Sequence, residues 1–341
     1  LLPLRRGVLR IALGVIAAAL VGFAGPAGSA RSVHQPAVQS ELARLWRGGA
    51  ISSSAYSSYL GSFNAALRTV KRLHGTRAAE LESVIENLDG IAARGMLAPS
   101  RLPVLFLTLD RNRQWWTTGP LLSTYQRVEF PGSGLVWEYY PGQGIELQEL
   151  ASFATVNTLC IAGARQHAAC AALLSELIPL AANRAGGPTW EYYFQLDRGL
   201  PPWTSAMSQG TALQALAHAY EALGNPAYLA VGNRALSAFT VAPPRGVAVR
   251  TSLGARYVQY TFDPARRDEV INAFLQSLIG LDEYAQASRN PLAEQLFTAG
   301  NAEAQAELSQ FDTGAWSLYQ PGIEDDLNYH ELVTGFLGQL C

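Results

Sequence analysis

Residues 247–308 decide the fold class. They open with Val247-Ala-Val-Arg250 and Tyr257-Val-Gln-Tyr-Thr-Phe262, two short runs rich in β-branched and aromatic residues, turned by Ser252-Leu-Gly254. That pattern predicts a hairpin. Apolar residues then recur at helical spacing over 266–287 and again over 291–308. Asn290-Pro291 separates the two helices. Asn suits an N-cap, and Pro suits the first helical position because its missing N–H has no partner there in any case. Asn225-Pro226 opens another helix in the same way.

Reading outward, the same alternation holds from Glu146 to the end. Further helices are predicted near 146–161, 166–184, 205–223, 227–239 and 325–340, with extended pieces at Thr189–Phe194 and Ala315–Tyr319. Seven apolar-faced helices in antiparallel succession, with aromatic hairpins between pairs, predict a mainly α chain built as an incomplete α/α toroid over 146–341. In such a fold the loops at one end of the ring build a cleft suited to an extended sugar chain. A tetratricopeptide-like solenoid and an irregular bundle are the alternatives. No period near 34 residues repeats cleanly, which argues against the solenoid. Upstream, Leu42, Leu45 and Trp46, then Tyr59, Phe63, Leu67 and Val70, mark residues 31–100 as a helical hairpin. Residues 101–145 read as a β-containing connector. In it Val104–Leu109 is a short strand or a buried helix, Leu135–Tyr140 a strand, and Phe130–Gly134 and Pro141–Gly144 are turns.

Of the 341 residues, 49% are hydrophobic and 15% charged, with net charge −2. That composition supports a large core and excludes disorder. The balance becomes −5 once residues 1–30, with Arg5, Arg6, Arg10 and no acid, are set aside. A mildly acidic chain without a basic stripe is a poor nucleic-acid binder. Residues 1–30 join a basic start, an apolar run from Ile11 to Ala24 and a small-residue end, Gly25-Pro-Ala-Gly-Ser-Ala30. They predict a signal peptide and an exported protein, or else an uncleaved N-terminal membrane anchor. Cys160 and Cys170 flank a polar, Gly163-containing turn. A bridge across that turn and two buried free thiols are both open readings. No Cys or His spacing matches a metal site.

Four motifs follow in order. They are Trp203-Thr-Ser-Ala-Met-Ser-Gln-Gly210, then Tyr257-x-x-Tyr260, then Asn272-Ala-Phe-Leu-Gln-Ser-Leu-Ile-Gly-Leu281, then Asp312-Thr-Gly-Ala-Trp-Ser-Leu-Tyr319 leading to Tyr329-His330. Together they resemble the C-terminal domain of the D-glucuronyl C5-epimerases from about Trp190 to Leu340. The resemblance implies an α/α barrel acting on glucuronate in a heparosan-like or other uronate-containing polysaccharide, with no cofactor required. It allows a bound divalent cation such as calcium and a homodimer. It implies that Tyr319 and Tyr329 are the catalytic tyrosines. Two departures stand out. The family's Glu-Glu-Tyr-Pro segment, which holds a catalytic glutamate, is Val258-Gln-Tyr-Thr261 here, and its Asp-Leu-Arg after the first tyrosine is Gln320-Pro-Gly322.

Inverting C5 of a uronate means taking a hydrogen from carbon beside a carboxylate and returning one to the opposite face. That needs a base, an acid and donors to the carboxylate as it gains charge. Tyr319 and Tyr329 are the expected two-face pair, against the alternative of tyrosines stacked in the core. Tyr260 and Tyr257 are substitutes, against a half-buried strand pair. Arg256 or Arg250 would pair with the substrate carboxylate, against solvated hairpin charges. Gln209 and Asn272 would bond sugar hydroxyls, against loop backbone. Trp203 would contact the sugar, and His330 would orient Tyr329, against a satisfied core histidine. Asp312 reads as a turn residue. Glu138 and Glu191 are further acid–base candidates. A uronate lyase, which begins with the same proton abstraction, and a non-catalytic glycan-binding envelope protein are the rival functions.

Overall fold

The computed structural model describes residues 36–262 and 269–341. The expected signal segment, and the first residues of the helix predicted from 266, lie outside the described residues.

Four helices open the described chain: α1 (Ala37–Arg47), α2 (Ser53–Val70), α3 (Thr76–Ala93) and α4 (Leu102–Thr118). Ser52 caps α2 by accepting the Ala55 N–H. The expected hairpin is therefore three helices, and the expected connector begins with a fourth. Residues Val104–Leu109 form part of α4. A run of six mostly apolar residues does not separate strand from helix by itself, but Pro103 sits in the first turn, where proline is tolerated. Leu102, Leu105, Phe106, Leu109 and Trp116 are all buried.

The β-rich part of the connector is an antiparallel sheet of β1 (Arg127–Val128), β2 (Trp137–Tyr140) and β3 (Gly144–Leu147), with Trp137 opposite Leu147 and Glu138 opposite Glu146. Its β2–β3 turn is clasped by Glu80 of α3. That carboxylate accepts the Tyr139 hydroxyl at 2.7 Å and the N–H groups of Gly142 and Gly144 at 3.0 and 3.1 Å.

From there helices and hairpins alternate as the sequence predicts. The order is α5 (Glu149–Ile161), α6 (His167–Leu177), β4 (Ala182–Arg184) with β5 (Gly187–Thr189), α7 (Ala206–Leu223), α8 (Ala227–Ala235), β6 (Ala248–Arg250) with β7 (Ala255–Tyr257), α9 (Ile271–Ser288), α10 (Pro291–Glu307), β8 (Leu318–Gln320) with β9 (Ile323–Glu324), and α11 (Leu327–Leu340). Asn290 caps α10 by accepting the Leu292 N–H at 2.8 Å. A disulfide joins Cys160 of α5 to Cys170 of α6, with Cα atoms 5.3 Å apart. This settles the open reading of the two thiols: the turn at 162–166 reverses the chain and brings them together.

Polar side chains show the relative direction of α5, α7 and α9. Gln214 of α7 accepts from Asn157 of α5 and from Gln276 of α9, each at 3.0 Å. One turn further along α7, His218 bonds Asn157 at 2.9 Å and meets Glu283 of α9 at 2.9 Å. The contacts advance together along α7 and α9, so these helices run parallel. Helices α6, α8 and α10 return the chain between them. It follows that the long connections, each carrying a hairpin, enter α7 and α9 at the same end. Met207, Val270, Ile271, Phe311 and Val333 form a small buried apolar cluster there, against which Leu150, Leu318 and Tyr319 pack. The α7–α9 approach is very close: a Cβ added at Gly280 would lie 1.9 Å from the Gly210 carbonyl oxygen. Both glycines belong to the motifs quoted above. The resulting architecture is mainly helical with short antiparallel hairpins.

Among the described residues no helix is long and apolar enough to cross a membrane.

Candidate functional site

The segment leading into α11 is built turn by turn. Phe311 is buried and anchors its start. Asp312 accepts the Gly314 N–H at 2.7 Å, and Gly314 takes a φ of +84°, a left-handed conformation that glycine adopts without strain. Asp312 is thus the turn residue that the sequence suggests. The β8–β9 hairpin follows, and Asp326 then caps α11 by accepting the Tyr329 N–H at 2.9 Å. One cap and one hairpin bring Tyr319 of β8 and Tyr329 of the first turn of α11 together. Their ring centroids lie 5.2 Å apart, edge to face at 64°. Both rings are half-buried. Burial first, and then the negative charges of Asp326 and Asp325, push the Tyr329 phenol up to about 12. It is a proton carrier at neutral pH.

His330 serves the loop. Its ring stacks on Trp316 at 4.1 Å, and its Nδ1 lies 2.9 Å from the Ser317 hydroxyl. That hydroxyl also donates to Asp325, and the Trp316 indole donates to the Asp325 carbonyl at 2.6 Å. These contacts hold the strand that carries Tyr319.

The other expected site residues are engaged with protein groups. Tyr257 is 1% exposed; its hydroxyl donates to the Leu296 carbonyl at 2.7 Å and its ring meets Phe239 and Phe274. It ties β7 to α10. Arg256 is also buried; it pairs with Glu307 and lies over Phe274 and Phe311. Its observed partners are thus protein groups at the root of the tyrosine loop. Gln209 donates to the Trp190 carbonyl at 2.8 Å and the Thr204 hydroxyl at 3.0 Å, so its amide holds loop backbone. Asn272 is buried, with its side-chain oxygen accepting the Ala273 N–H. Trp203 is 4% exposed, with one face stacked on Tyr192 at 4.3 Å and its indole donating to the Phe194 carbonyl. Tyr260 is half-buried in the same aromatic group, edge-on to Trp203 and stacked on Phe262. Glu191 sits between Arg101 and Arg184 at 2.7 and 2.5 Å. Burial works to raise its pKa, but the two guanidiniums outweigh it and hold the carboxylate below its usual range. Glu138 is raised by burial, and Tyr140 and Arg127 oppose the rise.

Two carboxyls went unnoticed in the sequence. Glu146 and Glu149 are both buried, and burial raises each well above the ordinary range. Glu149 Oε2 has no hydrogen-bond partner among the described residues. Nearby, the Tyr192 hydroxyl bonds Ser208 at 2.6 Å and accepts the Leu150 N–H. The available signal was Gly144-Ile-Glu-Leu147: a strand buried on both faces that nevertheless carries an acid.

Among the described residues no group of three or more His, Cys, Asp or Glu side chains is arranged to hold a metal ion.

Residues 187–340 match the family described as the D-glucuronyl C5-epimerase C-terminus. An uncharacterized protein of Methanocaldococcus jannaschii is 28% identical over 138 residues, covering 38% of this chain and 44% of that protein. The D-glucuronyl C5-epimerase of Caenorhabditis elegans is 32% identical over 135 residues, covering 35% of this chain and 21% of that enzyme. The chain thus spans less than half the length of these curated relatives.

Proposed function

Residues 187–340 belong to the D-glucuronyl C5-epimerase C-terminal family, and from that premise we propose that the chain inverts C5 of glucuronate-type residues within an acidic polysaccharide. The observation that carries the reading is the pairing of Tyr319 with Tyr329, two phenols from separate motifs brought side by side. Neither composition nor helical spacing requires that meeting.

The C5 hydrogen is a weak acid because the neighbouring carboxylate already bears charge. Removing it needs a base close to the carbon and donors that stabilise the carboxylate as negative charge builds. Tyr329, held in its protonated form, is the donor on one face. Tyr319, entering as the phenolate, takes the proton from the other; it ends protonated and Tyr329 ionised, which is the state from which the reverse reaction starts. The segment where the family carries its glutamate is used structurally here: Gln259 accepts the Ser205 hydroxyl at 3.0 Å at the start of α7. In this reading both proton transfers rest on phenols.

In this reading α5, α7, α9 and α11 form the inner wall of an incomplete α/α toroid, and the hairpin-bearing connections form the lips of its cleft. The Cys160–Cys170 disulfide supports an oxidising compartment and hence export. Product analysis tests the proposal. Incubation with a glucuronate polymer such as heparosan is expected to give iduronate signals by proton NMR at unchanged chain length. Shorter chains ending in an unsaturated uronate indicate the lyase instead, and saccharide binding without any new product indicates a glycan-binding protein.

A further inference from the structure

A second feature of the hairpin-bearing connections is unrelated to the tyrosine pair. A cavity of about 560 Å³ opens between the α3–α4 turn, the β4–β5 turn, the segment before α7 and the segments on either side of the β6–β7 hairpin. Among the described residues five arginines line it and no acidic residue does. In a chain of net charge −2 that is a strong local concentration of one sign.

Two of the five build the walls. Arg184 donates to Glu191, to the Pro202 and Arg245 carbonyls and to the Pro244 carbonyl. Arg101 donates twice to the same Glu191 and once to the Met96 carbonyl at 2.8 Å. Glu191 neutralises one of these charges and leaves the other. The remaining three stand at the rim. Arg94 spends one nitrogen on the Pro201 carbonyl. Arg198 and Arg245 are exposed, and neither guanidinium has a carboxylate partner among the described residues. Leu200, Pro201, Pro202 and Phe262 supply an apolar floor between these charges.

We propose that this cavity is a binding subsite for an acidic sugar residue, with Arg198, Arg245 and Arg94 receiving its carboxylate or sulfate and the proline–Phe262 floor receiving the ring. Guanidiniums match planar and tetrahedral oxyanions with paired donors. The volume suits a sugar ring rather than a bare inorganic ion. Phe262 stacks on Tyr260, and the segments before α7 and α9 lie at the end of those helices where Tyr319 packs. A bound acidic chain would thereby be read at a second residue away from the one being inverted. That last identification rests on the proposed reaction; the anion subsite does not. Arg94 and Arg101 lie outside the family match, so this part of the subsite comes from the N-terminal helices.

The test is calorimetric titration of the full chain with a size-defined heparosan oligosaccharide, with a neutral cello-oligosaccharide and with inorganic sulfate. Arg198→Ala with Arg245→Ala is expected to weaken heparosan binding at least tenfold and to flatten its salt dependence. Arg198→Glu is expected to weaken it further. Both residues are exposed, so the thermal midpoint stays unchanged. Unchanged affinity in the double variant overturns the subsite, as does equal binding of the neutral sugar or binding of sulfate alone. Arginine-dependent binding without exchange at C5 would keep the subsite and remove the reaction. Exchange with arginine-independent binding would do the reverse.

Discussion

Replacing Gly280 with alanine tests the packing of the two helices that frame the cleft. The added methyl would lie 1.9 Å from the Gly210 carbonyl oxygen, 2.4 Å from its carbon and 2.8 Å from its Cα, all backbone atoms that no rotamer change can move. Restoring ordinary contact, which begins near 3.4 Å, requires α7 and α9 to separate by more than about 1 Å. Overpacking of this kind costs about 1–3 kcal/mol, and a rigid backbone obstacle puts it at the upper end. Alanine's better helix propensity returns up to about 1 kcal/mol. The net expectation is a loss of about 2 kcal/mol. Gly335 of α11 is the control, because a Cβ there meets nothing within 4 Å. Gly335→Ala is expected to gain about 0.5–1 kcal/mol from propensity alone. Urea unfolding at constant slope reads both changes. Gly280→Ala equal to or more stable than wild type would refute the close approach.

Converting Cys160 and Cys170 to serine opens a short loop; chain-entropy arithmetic puts the loss at about 3 kcal/mol, read as a lower urea midpoint. Glu149→Gln is expected to stabilise at pH 7. The folded chain raises this carboxyl, so wild type loses stability as pH climbs above the unfolded value, whereas the glutamine variant does not. The difference in thermal midpoint should therefore be positive at pH 7 and vanish near pH 4. Glu191→Gln leaves Arg101 and Arg184 facing each other without a counter-charge, and is expected to cost about 3–5 kcal/mol in the same unfolding assay.

The helical order was legible because apolar spacing and the Asn-Pro starts are local signals. Residues 104–109 were ambiguous because a short apolar run looks alike in either conformation; the proline at 103 and the spacing on to Trp116 were the arbiters. The tyrosine pair was legible from motif order, since a capped helix and a preceding hairpin fix both ends of one loop. Arg256 read as a solvated hairpin charge or a substrate contact, and its half-buried partner Glu307 lies 51 residues away. Gln209 and Tyr257 are satisfied by backbone carbonyls 19 and 39 residues away. The arginine-lined cavity was the least legible feature, because its charges come from separate loops, each unremarkable alone.

The reaction is tested most directly in heavy water, with a glucuronate polymer and three proteins: wild type, Tyr319→Phe and Tyr329→Phe. Wild type is predicted to place deuterium at C5 without shortening the chain. Each phenylalanine variant, folded as judged by its thermal midpoint, is predicted to slow that incorporation by at least about 100-fold. Incorporation at the wild-type rate after loss of either hydroxyl would contradict the account.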